Sequence, residues 1–419
     1  MEKFVISGGE KLEGTIRISG AKNAALPIIA ASLLADSSIV LRNIPQVRDV
    51  EAIKNILQAL GEKVSIKNHV VYMHPNSASK WEVPEDLGKA LWYSILMLGS
   101  LLSKVGKARL PYPGGDRLGI RKIDLHVKGL EALGAEITVS NGWIVAQRKQ
   151  LRGARVHFYF PSVSATENVM IAACLADGVT VIHNSAKEPE IVDLANFLNR
   201  MGAQISGAGT DIIRIKGVDE LSGTEHTIMS DRIETGTYAV AAAITNGNIL
   251  LKNTDLSLLK SVVSKLREIG VEIEEVSEGT RVSSYGKFYP VDIETGPYPG
   301  FPTDMQQIVT PLLLMADGES TIKETIFENR FNHIPELIKM GADLKINSDT
   351  IFIKGISKLK GTEVKAMEIR GGTSLVLAGL IAKGKTTING VHHIFRGYEN
   401  LLSKLKNVGA NCNLITIRE

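Results

Sequence analysis

The sequence predicts an α/β protein made of six repeats of roughly β-α-β-α-β-β, arranged as two domains of three repeats. The chain has 419 residues, more than one ordinary core accommodates. Its 44% hydrophobic and 22% charged residues are typical of a globular protein. Ala-rich helical stretches alternate with short β-branched strands, as at 175–182 and 315–322. Each repeat therefore pairs small-residue helices, which can pack centrally, with strands.

The repeats are marked by a helix end, an apolar residue, a Gly and a short strand, recurring about every 70 residues. The glycines are Gly61, Gly134, Gly202, Gly270, Gly341 and Gly409. A Gly suits the residue after a helix, where a left-handed conformation ends it. We expect a first domain at 22–229 and a second at 1–21 plus 230–419. The segment Glu2–Gly20 then pairs within the second domain. Two chain crossings predict a hinge, with the active site in the cleft between the domains.

Several classes of function are disfavoured. The start of the chain shows no apolar signal-peptide core, which predicts a cytoplasmic protein. The longest apolar stretch, 90–102, is shorter than the roughly 20 residues of a membrane span and predicts a buried helix instead. The net charge of +3 is spread without a Lys/Arg block, so no nucleic-acid interface is expected. Cys174 and Cys412 lie in apolar runs and are expected in the core.

Two segments combine glycines with charge. Lys22 and Asn23 follow Gly20 before an apolar helix, which fits either a turn with a helix cap or anion capture at a helix N-terminus. The segment 111–121 contains prolines, glycines and charges and predicts a mobile loop, which is either functional or merely solvated. In the functional interpretation Arg117, Arg121 and Lys122 bind phosphate or carboxylate, and Asp116 delivers a proton. Because a neighbouring arginine lowers the pKa of an aspartate, Asp116 would act as an acid only after dehydration or beside an anionic ligand.

A second group of charged residues lies in the last third of the chain. Asp304 follows Pro302 in a rigid turn before a helix, which fits either a fixed general base or an ordinary helix cap. Arg330, Arg370 and Arg396 occupy loop-like sites. Each alone fits a salt-bridged surface residue, whereas together they fit the cleft wall of a site for an anionic substrate.

Taken in order, these motifs closely resemble the enolpyruvyl transferases of peptidoglycan synthesis, the UDP-N-acetylglucosamine 1-carboxyvinyltransferase family, over essentially the whole chain. The motifs are SGAKNAALP at 19–27, PGG at 113–115, EPEIVD at 188–193, DRIETG at 231–236, FPTDMQ at 301–306, FENRF at 327–331 and RGYE at 396–399. The resemblance implies a two-domain inside-out α/β barrel with three repeats per domain. It also implies transfer of the enolpyruvyl group of phosphoenolpyruvate to the 3-hydroxyl of UDP-N-acetylglucosamine, without metal or organic cofactor and without an obligate protein partner. This is the first committed step of peptidoglycan biosynthesis, on which cell-wall biogenesis, cell shape and division depend.

The resemblance also implies roles for single residues. Asp304 is similar to the base that takes the proton of the sugar hydroxyl, and Asp116 to the acid that protonates the vinyl carbon. Lys22, Arg121 and Arg396 would hold phosphoenolpyruvate, while Asn23, Asp304 and the Ile326 backbone would hold the sugar. The segment Arg121–Leu125, that is Arg121, Lys122, Ile123, Asp124 and Leu125, would contact uridine and diphosphate together with Ser162, Val163 and Ser164. Arg330 and Arg370 complete the expected substrate contacts.

Three departures from the family pattern stand out. Asp116 replaces the usual loop Cys, which keeps an acid but removes the thiol that fosfomycin alkylates. Trp92 stands where the family usually has Arg, and Glu368 replaces an Asp beside Arg370. Two rivals stay open: 5-enolpyruvylshikimate-3-phosphate synthase, which shares the fold, and a non-catalytic paralogue that senses the nucleotide sugar.

Overall fold

The computed structural model describes residues 2–74, 80–116, 119, 121–328, 330–356 and 358–416. The chain forms two compact units. The first unit contains Gly20–Asp116 and Arg121–Met229, and the second contains Met1–Ser19 and Ser230–Glu419. The divisions predicted from the sequence lie at 21/22 and 229/230. Of the predicted mobile loop, Arg117, Leu118 and Ile120 lie outside the described residues, and so does the predicted anion contact of Arg117.

The helices run in chain order as follows: α1 Lys22–Ala31, α2 Arg48–Leu60, α3 Glu85–Ala90, α4 Met97–Lys104, α5 Asp124–Ala132, α6 Val163–Ala173, α7 Pro189–Arg200, α8 Arg232–Ile244, α9 Lys260–Ile269, α10 Thr303–Leu313, α11 Ile334–Lys339, α12 Ile369–Ile381 and α13 Leu401–Asn407. Short 3₁₀ helices occupy Ser32–Leu34, Trp92–Leu96, Leu256–Leu259 and Ile394–Arg396.

The strands of the first unit are β3 Ile39–Arg42, β4 Lys63–Lys67, β5 Val70–His74, β6 Lys107–Pro111, β7 Ala135–Ser140, β8 Trp143–Arg148, β9 Arg155–His157, β10 Val179–His183, β11 Gln204–Ser206, β12 Ile212–Lys216 and β13 Glu225–Thr227. Those of the second unit are β1 Glu2–Ser7, β2 Glu13–Arg17, β14 Asn248–Lys252, β15 Glu272–Val276, β16 Gly279–Ser283, β17 Asp292–Glu294, β18 Glu319–Lys323, β19 Asp343–Asn347, β20 Thr350–Lys354, β21 Glu363–Lys365, β22 Lys385–Asn389 and β23 Asn411–Thr416.

Each unit contains three sheets among its described residues. In the first unit the strand orders are β13-β3-β5-β4, β6-β8-β7 and β11-β12-β10-β9. In the second they are β15-β16-β14-β2, β17-β18-β20-β19 and β21-β22-β1-β23. The order β9, α6, β10, α7, β11, β12 is the predicted β-α-β-α-β-β repeat, in which β9 and β10 are parallel and the other pairs antiparallel. The predicted α/β class with three repeats per unit is confirmed.

The N-terminal strands complete sheets of the second unit. Strand β1 lies between β22 and β23 and is antiparallel to both, while β2 is parallel to β14. The second repeat departs from the common pattern, because a single bridge between Glu82 and Arg109 stands where the others have a fourth strand.

The core of each unit surrounds helices that are buried on nearly all sides. In the first unit these are α1, α4 and α6, and in the second α8, α10 and α12. Outer helices such as α2 bury one stripe only, including Val50, Ile53 and Leu57. Several predicted site residues, among them Lys22, Ser164, Asp304 and Arg370, lie in the first turns of these helices.

The six repeat glycines all adopt positive φ, between 95° and 109°. Gly61 and Gly270 occupy the left-handed position directly after α2 and α9, as the repeat pattern predicts. One prediction is wrong in detail: the apolar stretch 90–102 is not a single helix. Leu91 is extended and ends α3, after which a 3₁₀ turn and α4 follow. Ser94 Oγ donates to the Gly88 and Leu91 carbonyls and holds this break.

We predict that Gly99→Ala lowers the free energy of unfolding by about 2 kcal/mol, through overpacking. A Cβ on Gly99 in α4 would lie 2.5 Å from both the main-chain and the side-chain oxygen of Asn168 in α6. Gly379→Ala in α12 is the matched control, because its Cβ would meet Ile6 at an ordinary 3.4 Å. Urea unfolding followed by circular dichroism compares the two; equal stability of both variants would refute the close approach.

Candidate active site

In the first unit, Lys22 and Asn23 form the first turn of α1. Lys22 is buried, and its Nζ lies 3.5 Å from Asp49 Oδ2 in α2, whose side chain is buried as well. Asn23 is half-buried. Since a buried cation needs a counter-charge, Asp49 fixes the lysine while the helix N-terminus beside it favours an anion. Asp49 has no motif of its own, and the sequence analysis missed it.

The loop that carries Asp116 is packed against α3. A Cβ on Gly114 would lie 1.9 Å from the Lys89 carbonyl oxygen, and Gly115 has a φ of 104°. Both positions therefore require glycine. Asp116 itself is half-buried. The Pro-Gly-Gly motif thus fixes how the loop packs against α3 just before the predicted acid, Asp116.

The segment after the loop is anchored by its backbone. Tyr112 donates its hydroxyl to the Arg121 carbonyl at 2.8 Å, and the guanidinium carbon of Arg121 lies 3.9 Å from the centre of the Trp92 ring. Ile123 and Leu125 are buried and Lys122 is exposed. Asp124 begins α5 and accepts a hydrogen bond from the exposed Tyr159 hydroxyl at 2.9 Å.

The predicted Ser162–Ser164 site is the N-terminus of α6. Ser162 is the N-cap and accepts from the Ala165 amide at 3.4 Å, and Val163 opens the helix. Ser164 Oγ contacts His126 Nε2 at 3.1 Å and Trp92 Nε1 at 3.3 Å. Burial first, and then the charge of Arg121, lower the pKa of His126 to about 3, so this imidazole is neutral in the physiological range. The structure therefore joins Arg121 and Ser164 through Trp92.

In the second unit, Asp304 lies in the first turn of α10 between two buried arginines. Arg330 Nη2 is 2.7 Å from Oδ1, and Arg370 Nε and Nη2 are 3.1 and 3.0 Å from Oδ2. The N-cap of α10 is Pro302, so the ordinary helix-cap interpretation of Asp304 is wrong. Burial lowers the pKa of Arg330, but the charges of Asp304, Glu368 and Glu324, with the hydrogen bond to Asp304, together outweigh it and the pKa is raised. The same opposition raises the pKa of Arg370, with Tyr398 and Asp304 the main favourable neighbours.

A buried carboxylate, Glu324, supports this group from behind. Thr303 Oγ1 accepts from Arg330 Nη1 at 2.9 Å and donates to Glu324 Oε2 at 2.7 Å. Glu324 Oε1 also accepts the amides of Ile326 and Phe327 at 2.8 and 3.1 Å. Because the Ile326 amide is engaged, the carbonyl is the backbone group with which Ile326 can hold a sugar. Sequence reasoning missed Glu324, which has no local signal.

The first turn of α12 carries Arg370 and is capped by the carboxylate of Glu368, which accepts from the Arg370 and Gly371 amides. The departure from Asp to Glu therefore preserves a capping carboxylate. Arg396 ends the 3₁₀ helix Ile394–Arg396, and the Arg396 residue is half-buried. This 3₁₀ helix packs against α12, where Gly372 leaves room for the side chain of Ile394. All predicted contacts of the second unit thus lie at the N-termini of α10 and α12 or beside them.

The comparisons with known proteins decide the family. The family model of EPSP synthase (3-phosphoshikimate 1-carboxyvinyltransferase) matches residues 6–405. A protein named UDP-N-acetylglucosamine 1-carboxyvinyltransferase 1 from Caldanaerobacter subterraneus is 50% identical over 408 residues, covering 97% of this chain and 98% of that protein. A UDP-N-acetylglucosamine 1-carboxyvinyltransferase from Halothermothrix orenii is 49% identical over 411 residues, covering 98% and 99%. The chain belongs to the UDP-N-acetylglucosamine 1-carboxyvinyltransferase family.

The solved structures agree on the fold. The enolpyruvyl transferase NikO from Streptomyces tendae superposes with a TM-score of 0.91 at 22% identity, covering 100% of this chain and 99% of that one. EPSP synthase from Acinetobacter baumannii reaches a TM-score of 0.76 at 18% identity, covering 99% and 100%. Because relatives that are 49–50% identical over nearly the whole chain carry the name of this transferase, the chain is an enzyme, as the resemblance implied. Within the described residues, no helix is both long and apolar enough to cross a membrane, and no cluster of His, Cys, Asp or Glu has a metal-binding arrangement.

We predict that Asp304→Asn destabilises the protein by about 3 kcal/mol, because it leaves two buried guanidinium groups without their shared carboxylate. Thermal and urea unfolding measure the loss. Glu225→Gln is the control: it breaks a pair with Arg42 whose side chains are about half exposed, and no measurable change is expected. An Asp304→Asn protein as stable as the wild type would show that Asp304 does not hold these arginines in place.

Proposed function

We propose that this enzyme transfers the enolpyruvyl group of phosphoenolpyruvate to the 3-hydroxyl of UDP-N-acetylglucosamine and releases phosphate. The observation that carries the proposal is Asp304 held between Arg330 and Arg370, a carboxylate in a fixed position beside cations that suit an anionic substrate. The names of the relatives, at 46–50% identity, give the acceptor. The reaction is the first committed step of peptidoglycan synthesis, in the cytoplasm, and serves cell-wall growth, cell shape and division.

The proposed mechanism is addition followed by elimination. Asp304 takes the proton of the sugar hydroxyl, whose oxygen bonds to the central carbon of phosphoenolpyruvate, while Asp116 gives a proton to the vinyl carbon. In the elimination the new methyl group returns a proton to Asp116, which restores the double bond, and the departing phosphate takes the proton held by Asp304. Lys22, Arg121 and Arg396 supply positive charge for phosphate and carboxylate, so the proposal invokes no cofactor.

Asp304 meets a physical constraint as a base. Two guanidinium groups stabilise its anionic form and so make it a weaker proton acceptor. The same pairing fixes both oxygens in position, so the gain lies in orientation rather than basicity. A hydroxyl that becomes more acidic as it attacks an electron-poor carbon needs only a well-placed acceptor, which is what this pairing supplies.

We predict that Asp116→Asn lowers acceptor-dependent phosphate release at least about 100-fold, the usual loss when a general acid is removed. Phosphate is measured with phosphoenolpyruvate and either UDP-N-acetylglucosamine, shikimate 3-phosphate or no acceptor. Asp219→Asn, an exposed aspartate of the same unit, should behave like the wild type. Release that survives Asp116→Asn removes this residue from the chemistry. Phosphate release with shikimate 3-phosphate would favour 5-enolpyruvylshikimate-3-phosphate synthase. No release with any acceptor would favour a non-catalytic paralogue that senses the nucleotide sugar.

We predict that fosfomycin does not inactivate the wild type over time, whereas Asp116→Cys becomes sensitive. The two natural thiols are no substitute targets, since burial raises the pKa of Cys174 to about 12 and of Cys412 to about 11. Enzyme is incubated with fosfomycin, diluted and assayed, and the intact mass is recorded. Progressive loss of wild-type activity with a covalent adduct would contradict the prediction.

A further inference from the structure

Trp92 stands where the family usually has an arginine, and the structure gives it two contacts within the first unit. It is 8% exposed and begins the 3₁₀ helix Trp92–Leu96. The guanidinium of Arg121 lies 3.9 Å above its ring, within the range of a cation–π contact. Its Nε1–H donates to Ser164 Oγ at 3.3 Å. A neutral side chain thus joins a substrate-binding cation to the N-terminus of α6.

The hydrogen bonds around Ser164 have a fixed direction that starts at Asn168. The side-chain oxygen of Asn168, Oδ1, accepts from the Gly99 amide at 2.8 Å. Its side-chain nitrogen, Nδ2, therefore donates to the Ile95 carbonyl at 3.1 Å and to His126 Nδ1 at 3.0 Å. His126 therefore accepts at Nδ1. Because a neutral imidazole carries one proton, that proton is on Nε2, which donates to Ser164 Oγ at 3.1 Å.

Ser164 Oγ consequently receives two hydrogen bonds, from His126 Nε2–H and from Trp92 Nε1–H. A hydroxyl accepts two hydrogen bonds and donates one. With both acceptor positions filled, only the hydroxyl hydrogen of Ser164 can still form a hydrogen bond, and it can only donate. Ser164 is half-buried in the first turn of α6. Free amides at a helix N-terminus also favour negative charge. All of these donors suit a ligand oxygen that only accepts.

We propose that Trp92 is a positioning residue that makes Ser164 a dedicated donor to a phosphate oxygen of the nucleotide and holds Arg121 flat beside it. The inference deepens the proposed function and rests on it, since the diphosphate of UDP-N-acetylglucosamine supplies the acceptor. In this enzyme the neutral hydrogen-bonded side chains of Trp92, Ser164 and His126 take the place of the cationic arginine that the family usually has at position 92. Trp92 acts on the nucleotide through Ser164, so removing its indole N–H should weaken nucleotide binding. A variant that keeps an aromatic ring beneath Arg121 should leave the chemical step unchanged.

The test is a double-mutant cycle on ligand binding. Titration calorimetry with UDP-N-acetylglucosamine and with UDP, without phosphoenolpyruvate, compares the wild type with Trp92→Phe, Ser164→Ala and the double variant. Trp92→Phe keeps a ring beneath Arg121 and removes the indole N–H. Each single variant should bind about fivefold more weakly, the effect of one hydrogen bond, and the double variant no more weakly than Ser164→Ala. The KM for the nucleotide should rise in step while kcat stays constant.

Trp143→Phe is the matched control, because the guanidinium of Arg109 also lies 3.9 Å from the Trp143 ring, on β6 and β8. Its binding should equal that of the wild type. Unchanged binding in Ser164→Ala overturns the proposal even if Trp92→Phe fails to fold, and so do multiplicative losses in the double variant. Wild-type binding without phosphate release defeats the proposed function alone, whereas absence of wild-type binding defeats both.

Discussion

The pairing of Asp304 with two buried arginines is the interaction on which the second unit depends. Arg330 and Arg370 are about 3% exposed, and a charge so deeply buried persists only beside a partner. Glu324 and the capping Glu368 extend the pairing into a network that reaches α10, α12 and the segment after β18. The apolar helices can therefore lie side by side while their first turns hold concentrated charge.

The first unit meets the same constraint with fewer charges. Lys22 is paired with Asp49, but the N-terminus of α6 is organised by neutral groups, namely Ser164, His126 and Asn168. Both units place polar groups at the starts of central helices, and α6 and α10 also bury polar side chains further along, such as Asn168 and Thr310. The repeat thus decides where chemistry can be located, and the residues at each first turn decide which chemistry it is.

Much of this arrangement could be predicted from the sequence because it is local. The repeat glycines report helix ends, and Lys22 and Asp304 stand in motifs at helix starts. The rest depends on contacts between distant segments. Asp304 and Arg370 are 66 residues apart, and Trp92 and Ser164 are 72 apart, so no periodicity connects them. Glu324 is linked to Arg330 through the side chain of Thr303, and Asn168 to Ser164 through that of His126. Asp304 resembles a helix cap in sequence, and its arginine partners decide otherwise.

The neutrality of His126 bears on how the two units respond to pH. Protonated His126 would donate from both ring nitrogens, and Nδ1 would then face the amide donor of Asn168. Burial and the neighbouring Arg121 hold the pKa of His126 at about 3, which prevents that conflict throughout the range near neutrality. Stability from this group is complete above the ordinary histidine pKa near 6.5 and declines as pH falls towards 3, because the unfolded chain binds the proton first. The donor direction at Ser164 is therefore constant wherever the enzyme is folded at neutral pH. Buried charge orders the surroundings of Asp304 in the second unit, and a buried histidine kept neutral orders the N-terminus of α6 in the first.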